Sequence, residues 1–172
     1  MNVVIETDRL LLRTFVEDDA SLLYELNSDP AVTVYTLDLM TDLEQAKKII
    51  NEVIIPQYNL YSHGRWAVHL KDGLQFIGWC GLKYVAERNE VDLGYRFMKK
   101  FWGKGYATEA AFASLQYGFN KLGRQQIIGR ALPANIASIK VLEKCGMQYV
   151  SEEYIDGLLH KTYVATNPNI RQ

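Results

Sequence analysis

The sequence predicts a mixed α/β fold, a sheet of mixed strand direction with helices on its faces. Three observations lead there. Three consecutive β-type segments, 65–70, 75–85 and 89–98, are separated by "KDG" and "AERN" at hairpin-like spacing. A glycine-bearing turn then opens a long helical segment that leads into another strand, a βαβ-like alternation. Last, the segments 147–155 and 158–166 close around an Asp-Gly pair, a strong hairpin signal.

In chain order, "RLLLRTF" (9–15) reads as the first strand. "DDASLLYELN" (18–27) puts Leu22, Leu23 and Leu26 on one helical face, and "SDP" stops it. "DLEQAKKIINEVIIPQY" (42–58) reads as a second amphipathic helix, broken by Pro56. After the three-strand meander, a helix runs to about Asn120. "RQQIIGRAL" (124–132) is a strand that Pro133 ends. "NIASIKVLEKCG" (135–146) is a helix with Asn135 at its N-cap and Gly146 at its C-terminal stop. No repeat, low-complexity run or Pro/Gly/Ser linker interrupts the 172 residues, so one domain is expected.

Composition excludes several classes. With 48% hydrophobic residues the chain can build a substantial core. A formal net charge of -1 points to neither nucleic acid nor a membrane surface. Its apolar runs are too short to span a bilayer. The start "MNVVIETDRL" carries acids and no basic region, so no signal peptide is expected. Cys80 and Cys145 do not make a disulfide framework and fit a reducing, cytoplasmic setting.

The stretch "FWGKGYATEAA" (101–111) carries the chemistry. A glycine turn opening a helix offers backbone N–H groups without intrahelical partners, and the helix dipole adds positive potential, so the place suits phosphate. Gly103 and Gly105 let the backbone approach a bulky anion, and Lys99, Lys100 and Lys104 surround the turn. A nucleoside-triphosphate loop would need a Lys-Ser/Thr pair that "GKGYAT" lacks. A dinucleotide fingerprint would need a third small residue where Thr108 stands, in a purely alternating βαβ chain. A helix start that merely tolerates glycine accounts for the turn equally well when it is taken alone.

Its company decides. "TDRLLLR", "DDASLL", "SDPAV", "FIGWCGL", "VDLGYRF", "GKGYATEA" and "NIASIKVLEKCGM" follow one another from about residue 6 to 166. In this the chain resembles the GNAT superfamily of N-acetyltransferases, and within it the branch that acetylates N-terminal amines of ribosomal proteins. The resemblance implies a central mixed sheet of about six to seven strands, about four flanking helices and a splayed strand pair. It implies acetyl-CoA as the acetyl donor. Lys100, Gly103, Lys104, Gly105, Tyr106 and Ala107 would cradle the pyrophosphate, with Lys100 where the family carries Gln or Arg. The backbone of Phe97, Met98 and Lys99 would pair with the pantetheine arm, one amide polarising the thioester carbonyl. Asn135 would hydrogen-bond that arm, although an N-cap role alone also explains it. The tyrosine that many members carry on this helix is Leu142 here, and Ser138 would assist the leaving thiolate.

A neutral amine nucleophile needs a proton acceptor. Glu90 and Asp92 share one strand face and are the candidates, against the alternative of ordinary solvent-facing charge. Glu109, in the first helical turn, reads as a structural stabiliser of the turn. His63, His69 and His160 are isolated, so no metal is expected. No GxSxG elbow is present, and Cys145 reads as a packed thiol. "IIPQYNLYSHGRW" (54–66), Tyr35 and Trp79 offer a wall for an acceptor cleft, a subunit contact or plain core. The expected reaction is direct acetyl transfer to a primary amine: a protein N-terminus by resemblance, or a small amine such as a polyamine, amino acid or aminoglycoside. A non-catalytic acyl-CoA sensor is the rival from another class. No nucleic acid or membrane partner is expected, and the chain is expected to be a monomer or homodimer.

Overall fold

The computed structural model describes residues 1–170. Its elements are β1 (Val3–Glu6), β2 (Leu10–Thr14), α1 (Ala20–Asn27), α2 (Pro30–Thr33), α3 (Leu43–Ile49), α4 (Ile55–Tyr61), β3 (Arg65–Leu70), β4 (Phe76–Val85), β5 (Glu90–Phe97), α5 (Tyr106–Asn120), β6 (Gln126–Ala131), α6 (Ile136–Lys144), β7 (Gln148–Ile155) and β8 (Leu158–Thr166). The strands form one eight-stranded sheet in the order β1-β2-β3-β4-β5-β6-β8-β7. Every neighbour pairs antiparallel except β5 and β6, which are joined through α5 as a parallel crossover.

The mixed sheet agrees with expectation, and the additional elements have local causes. β1 is the strand beyond those read from the sequence: Val3 and Ile5 pair with Arg13 and Leu12 of β2. "SDP" ends α1 as read, but Asp29 then caps α2 by accepting from the Ala31 amide at 2.9 Å, with Pro30 in its first turn. Pro56 does not break the second helix. α3 widens into a π-helical turn over Ile50–Ile54 and continues as α4 through Pro56 to Tyr61. Pro56 has no N–H to donate and its ring would crowd the carbonyl four residues back; a wider turn relieves both. The closing Asp156 and Gly157 both take positive φ, 51° and 79°, as a two-residue hairpin turn demands.

Two cores lie on opposite faces of the sheet. The larger holds Leu82, Leu93, Leu115, Ile127 and Leu142 under α5 and α6. The smaller holds Phe15, Leu23, Leu26, Ile50 and Phe76 under α1 and α3. α5 sits close to the sheet through Ala110, Ala111, Ser114 and Gly118; a Cβ at Gly118 would lie 2.5 Å from Ile127 Cδ1 and 2.9 Å from Leu82 Cδ1.

A buried polar knot anchors the second core. Arg13 donates to both oxygens of Asp19, at 2.7 and 2.9 Å, and its Nε donates to His69 Nε2 at 3.0 Å. That leaves His69 Nδ1–H to donate to the Leu74 carbonyl at 2.8 Å, which fixes the neutral tautomer. Removing one partner of such a pair strands a buried charge and costs about 3–5 kcal/mol. Burial pushes the Asp19 carboxyl up, but hydrogen bonds from Arg13 and the Val16 amide outweigh it and hold the group below its ordinary range. Burial pushes His69 down, with Arg13 adding to the effect, and burial likewise lowers His63.

The unfolded chain takes up these histidine protons near pH 6.5, whereas the folded chain does so only at lower pH. Their stabilisation is therefore complete above about pH 6.5 and lost as pH falls below it. The melting temperature should fall from pH 7 to pH 5.5, and His69→Gln should flatten that slope. Equal slopes in the two proteins would take the ring out of the linkage.

Candidate active site

The site is built where β5 leaves β6. Their parallel pairing comprises Asp92 with Ile128 and Leu93 with Gly129, while β5 continues to Phe97. The Met98 amide donates to the Ile77 carbonyl of β4 at 2.9 Å. Alternation along an extended strand turns the Tyr95 and Phe97 amides the other way, into the gap. Of the three backbone positions expected to pair with a ligand arm, Phe97 therefore presents its N–H to the gap and Met98 spends its N–H within the sheet. Lys99 opens a 3₁₀ turn over Lys99–Phe101. Trp102, which sequence reasoning passed over, donates its Nε1–H to the Phe97 carbonyl at 2.8 Å and holds the end of the strand.

The chain then reaches the glycine turn. Gly103 and Gly105 adopt φ of 74° and 82°, a conformation that side chains disfavour, and no atom stands within 4 Å of a Cβ built on Gly103. Gly105 is the N-cap of α5, and its carbonyl accepts the first α-helical bond, from Glu109, at 3.1 Å. The amides of Tyr106, Ala107 and Thr108 precede that bond and form the open N-terminal end. Lys100 and Lys104 place their ammonium groups 5.3 and 5.9 Å from the centre of the Phe101 ring, beside the turn.

A strap from the β1–β2 connection holds this turn. Glu109 accepts from Thr7 Oγ1 at 2.7 Å, the Arg9 amide at 3.0 Å and Arg9 Nε at 2.6 Å. Arg9 Nη1 donates to the Lys104 carbonyl at 3.0 Å, and its guanidinium lies 4.5 Å over the Tyr106 ring. Burial pushes the Glu109 carboxyl up, but the bonds from Thr7 and Arg9 outweigh it and hold the group low. Glu109 thus takes the structural place read for it.

Across the gap stands the N-terminus of α6. Asn135 Oδ1 accepts from the Ser138 amide at 3.3 Å as a cap, and its Nδ2 has no protein partner among the described residues. The Tyr95 hydroxyl donates to the Ser138 carbonyl at 2.7 Å and lies 3.0 Å from Ser138 Oγ, so the Ser138 proton turns toward Tyr95. Burial pushes the Tyr95 phenol up, against the hydrogen bond to Ser138, and it stays protonated. Leu142 is 1% exposed and packs on β6, so the phenol beside α6 comes from β5 instead. The only hint in the sequence was Tyr95 within "VDLGYRF". Cys145 Sγ lies 3.7 Å from the Thr108 carbonyl, and burial pushes its thiol up to about 11, so at neutral pH it is protonated.

The even-numbered side chains of β5 face the opposite side. Asp92 Oδ2 accepts from Arg65 Nη2 at 2.6 Å, and Arg65 Nη1 donates to the carbonyls of Gly81 and Asp92. Asp92 Oδ1 has no protein partner among the described residues. Glu90 lies at the far end of the strand from Phe97, bound by Arg88 and by both terminal nitrogens of Arg130; Arg130 also binds Glu153. Glu90 thus ties β5 to β6 and β7, and the structure does not bring it to the gap. Beside Arg65, an open cleft of about 650 Å³ runs between the sheet and α1 and α3; Val53, Ile54 and Trp79 are among its lining residues. Trp66 is core, 1% exposed, and Tyr35 is 38% exposed outside the cleft lining.

A parted strand edge running into a glycine-capped helix start is the arrangement that the sequence resemblance implied. The acetyltransferase (GNAT) domain model matches residues 9–148. The chain belongs to the GNAT acetyltransferase family. An uncharacterised N-acetyltransferase of Bacillus licheniformis, p20, is 34% identical over 145 residues, 83% of this chain and 80% of that protein. The crystal structure of a GNAT-family acetyltransferase from Bacillus anthracis superposes with a TM-score of 0.80 at 28% identity, covering 97% of this chain and 99% of that one. The RimL ribosomal L7/L12 alpha-N-protein acetyltransferase, solved with coenzyme A, shares the fold at a TM-score of 0.80 and 15% identity, over 96% and 98% of the two chains. Acetyl-CoA binding follows from the GNAT fold, and the donor set fits it: free amides at a helix start suit a diphosphate, and unpaired strand amides suit an amide-bearing arm.

Gly105→Glu puts a side chain and a negative charge into the turn. Calorimetric titration should find no acetyl-CoA binding to a variant whose circular dichroism is unchanged; wild-type affinity would remove the turn from the site.

Proposed function

We propose that this GNAT N-acetyltransferase binds acetyl-CoA along the open edge of β5 and transfers its acetyl group directly to a primary amine, with a protein N-terminal α-amine as the acceptor favoured by resemblance. The observation that carries the reading is the pair of amides, Tyr95 and Phe97, that face a gap in mid-sheet and lead straight to the glycine turn. Bound there, acetyl-CoA supplies an activated acetyl group. The turn from Lys100 to Ala107 grips phosphate through the amides of Tyr106 and Ala107, with Lys100 and Lys104 as flanking cations. Asn135 Nδ2 is the free donor toward the arm. The amide of Phe97 or Tyr95 polarises the acetyl carbonyl, replacing the Met98 amide that the sheet consumes.

The amine forms its bond to carbon as the carbon–sulfur bond breaks, and a proton passes overall from nitrogen to sulfur. Asp92 Oδ1, without a protein partner among the described residues, takes the amine proton through water; Arg65, which lines the cleft, holds its other oxygen. Ser138 Oγ–H turns from Tyr95, its partner at rest, to donate to the leaving thiolate, while the Tyr95 hydroxyl stays bonded to the Ser138 carbonyl and fixes the serine. Glu90, bound by two arginines, has no part in the transfer. Holding amine and thioester together supplies most of the acceleration. A cytoplasmic setting suits the two free thiols, Cys80 and Cys145.

Ser138→Ala and Tyr95→Phe should each lower kcat about tenfold to a hundredfold, at or below the lower end of general-acid effects because a thiolate is a good leaving group, with the KM for acetyl-CoA nearly unchanged. Asp92→Asn should steepen the loss of rate at low pH, where the amine holds its proton hardest. Steady-state thiol-release assays across pH read all three variants; matching losses in kcat and coenzyme affinity would make Ser138 a binding residue only.

A further inference from the structure

The cleft under α1 and α3 is unevenly charged. Lys48, Arg65, Lys83 and Arg96 line it against one carboxylate, Asp38. The two arginines are already compensated. Arg96 donates to Asp38 at 3.1 Å, to Thr36 at 2.8 Å and to Asn27 at 2.7 Å, and Arg65 is bound to Asp92. Both guanidinium groups flank the Trp79 ring, 5.2 and 5.6 Å from its centre. Lys48 and Lys83 have no ion-pair partner among the described residues. The cleft therefore carries an excess of positive charge beside an apolar wall that includes Leu39, Ile49 and Val53. It also adjoins the chemistry: a Cβ on Gly94, the first β5 residue beyond the paired stretch, would lie 2.6 Å from the Arg65 guanidinium carbon.

We propose that the acceptor carries a carboxylate beside an apolar group, that Lys83 and Lys48 receive the carboxylate, and that the amine is thereby presented at the parting of β5 and β6. This rests on the acetyltransferase reading above. Like-charge repulsion and the scarcity of carboxylates turn a polycation such as a polyamine or aminoglycoside away, while two unpaired ammonium groups over a low-dielectric wall attract an anion. Two sources share this chemistry: a free apolar amino acid, through its α-carboxylate, and a peptide N-terminus followed by acidic side chains.

Thiol release from acetyl-CoA is to be measured with phenylalanine, phenylalaninamide, a peptide beginning Ala-Leu-Asp-Glu, its Ala-Leu-Lys-Lys counterpart, spermidine and kanamycin. The expected result is a kcat/KM at least tenfold higher for a carboxylate-bearing acceptor than for its neutral or basic match. Preference for phenylalanine identifies the small-molecule source and preference for the acidic peptide the protein source. In the double variant Lys48→Gln/Lys83→Gln the KM of the preferred acceptor should rise about tenfold, in a protein that acetyl-CoA still stabilises against heat. Equal or faster turnover of the amide, the basic peptide, spermidine or kanamycin overturns the proposal. A second measurement does not depend on turnover. With coenzyme A present, N-acetylphenylalanine should raise the wild-type melting temperature more than N-acetylphenylalaninamide does, and this difference should vanish in the double variant. Equal shifts overturn the carboxylate assignment even in an active enzyme, whereas an acid-specific shift without thiol release from any amine supports it and overturns the catalytic reading instead.

Discussion

A backbone edge left open inside a sheet is the constraint around which this protein is organised. Amides in the middle of a sheet are almost always partnered, because a buried N–H without an acceptor costs about as much as a lost hydrogen bond. β5 is partnered along β4 through its whole length but along β6 only at Asp92 and Leu93. The amides of Tyr95 and Phe97 are left facing a gap, where the ligand of the proposed function would add as a missing strand. The neighbouring elements keep the gap from closing. Tyr95 braces α6 through Ser138, and Trp102 fixes the Phe97 carbonyl, so the strand can neither zip onto β6 nor fray.

Holding the glycine turn is a separate problem, because residues with positive φ and no side-chain contacts do not order themselves. The Arg9–Glu109 ion pair alone is weak: Arg9 is 46% exposed at its side chain, and pairs of that kind are worth about 1 kcal/mol or less. What distinguishes this one is convergence. Thr7, the Arg9 amide and the Arg9 side chain all meet Glu109, and Arg9 also reaches the Lys104 carbonyl. The hairpin of the first two strands is thereby tied to the mouth of α5, about a hundred residues later in the chain. Glu109 also lies within the first turn of that helix, where its charge faces the positive end of the dipole.

Much of this was legible in the sequence because the signals were local. Alternation within 65–98, the Asp-Gly hairpin and the cap at Asn135 each depend on residues a few positions apart, and each is observed. The turn at Gly103 and Gly105 was visible for the same reason. What escaped depends on how elements meet or, at Pro56, on a helical turn of unusual width. β1 is a strand because β2 lies beside it, and Pro56 stays helical because a π turn absorbs its ring. Glu90 and Asp92 share a face as alternation required, yet only the arginines opposite them, Arg130 from β6 and Arg65 from β3, separate their environments. Tyr95 was hidden because its partner lies 43 residues away on α6.

The alternation of β5 also divides the work of the site. Odd positions send Tyr95 toward α6 and turn the Tyr95 and Phe97 amides to the gap; even positions send Asp92 and Arg96 to the opposite face, where α1 and α3 wall the cleft. In the proposed function, donor and acceptor therefore approach the same few backbone atoms from different sides of one sheet. Gly94 is the position where the two sides meet. It carries no side chain, and the Arg65 guanidinium occupies the space that one would fill. A slip of one residue in the β4–β5 register would send Asp92 into the α5 core, bring Tyr95 out to the cleft and turn the free amides back toward β4. The buried run Val91, Leu93 and Phe97 opposes that slip with hydrophobic burial of about 1.5–3 kcal/mol for each side chain. The packing that stabilises the sheet is thus also what aims the chemistry.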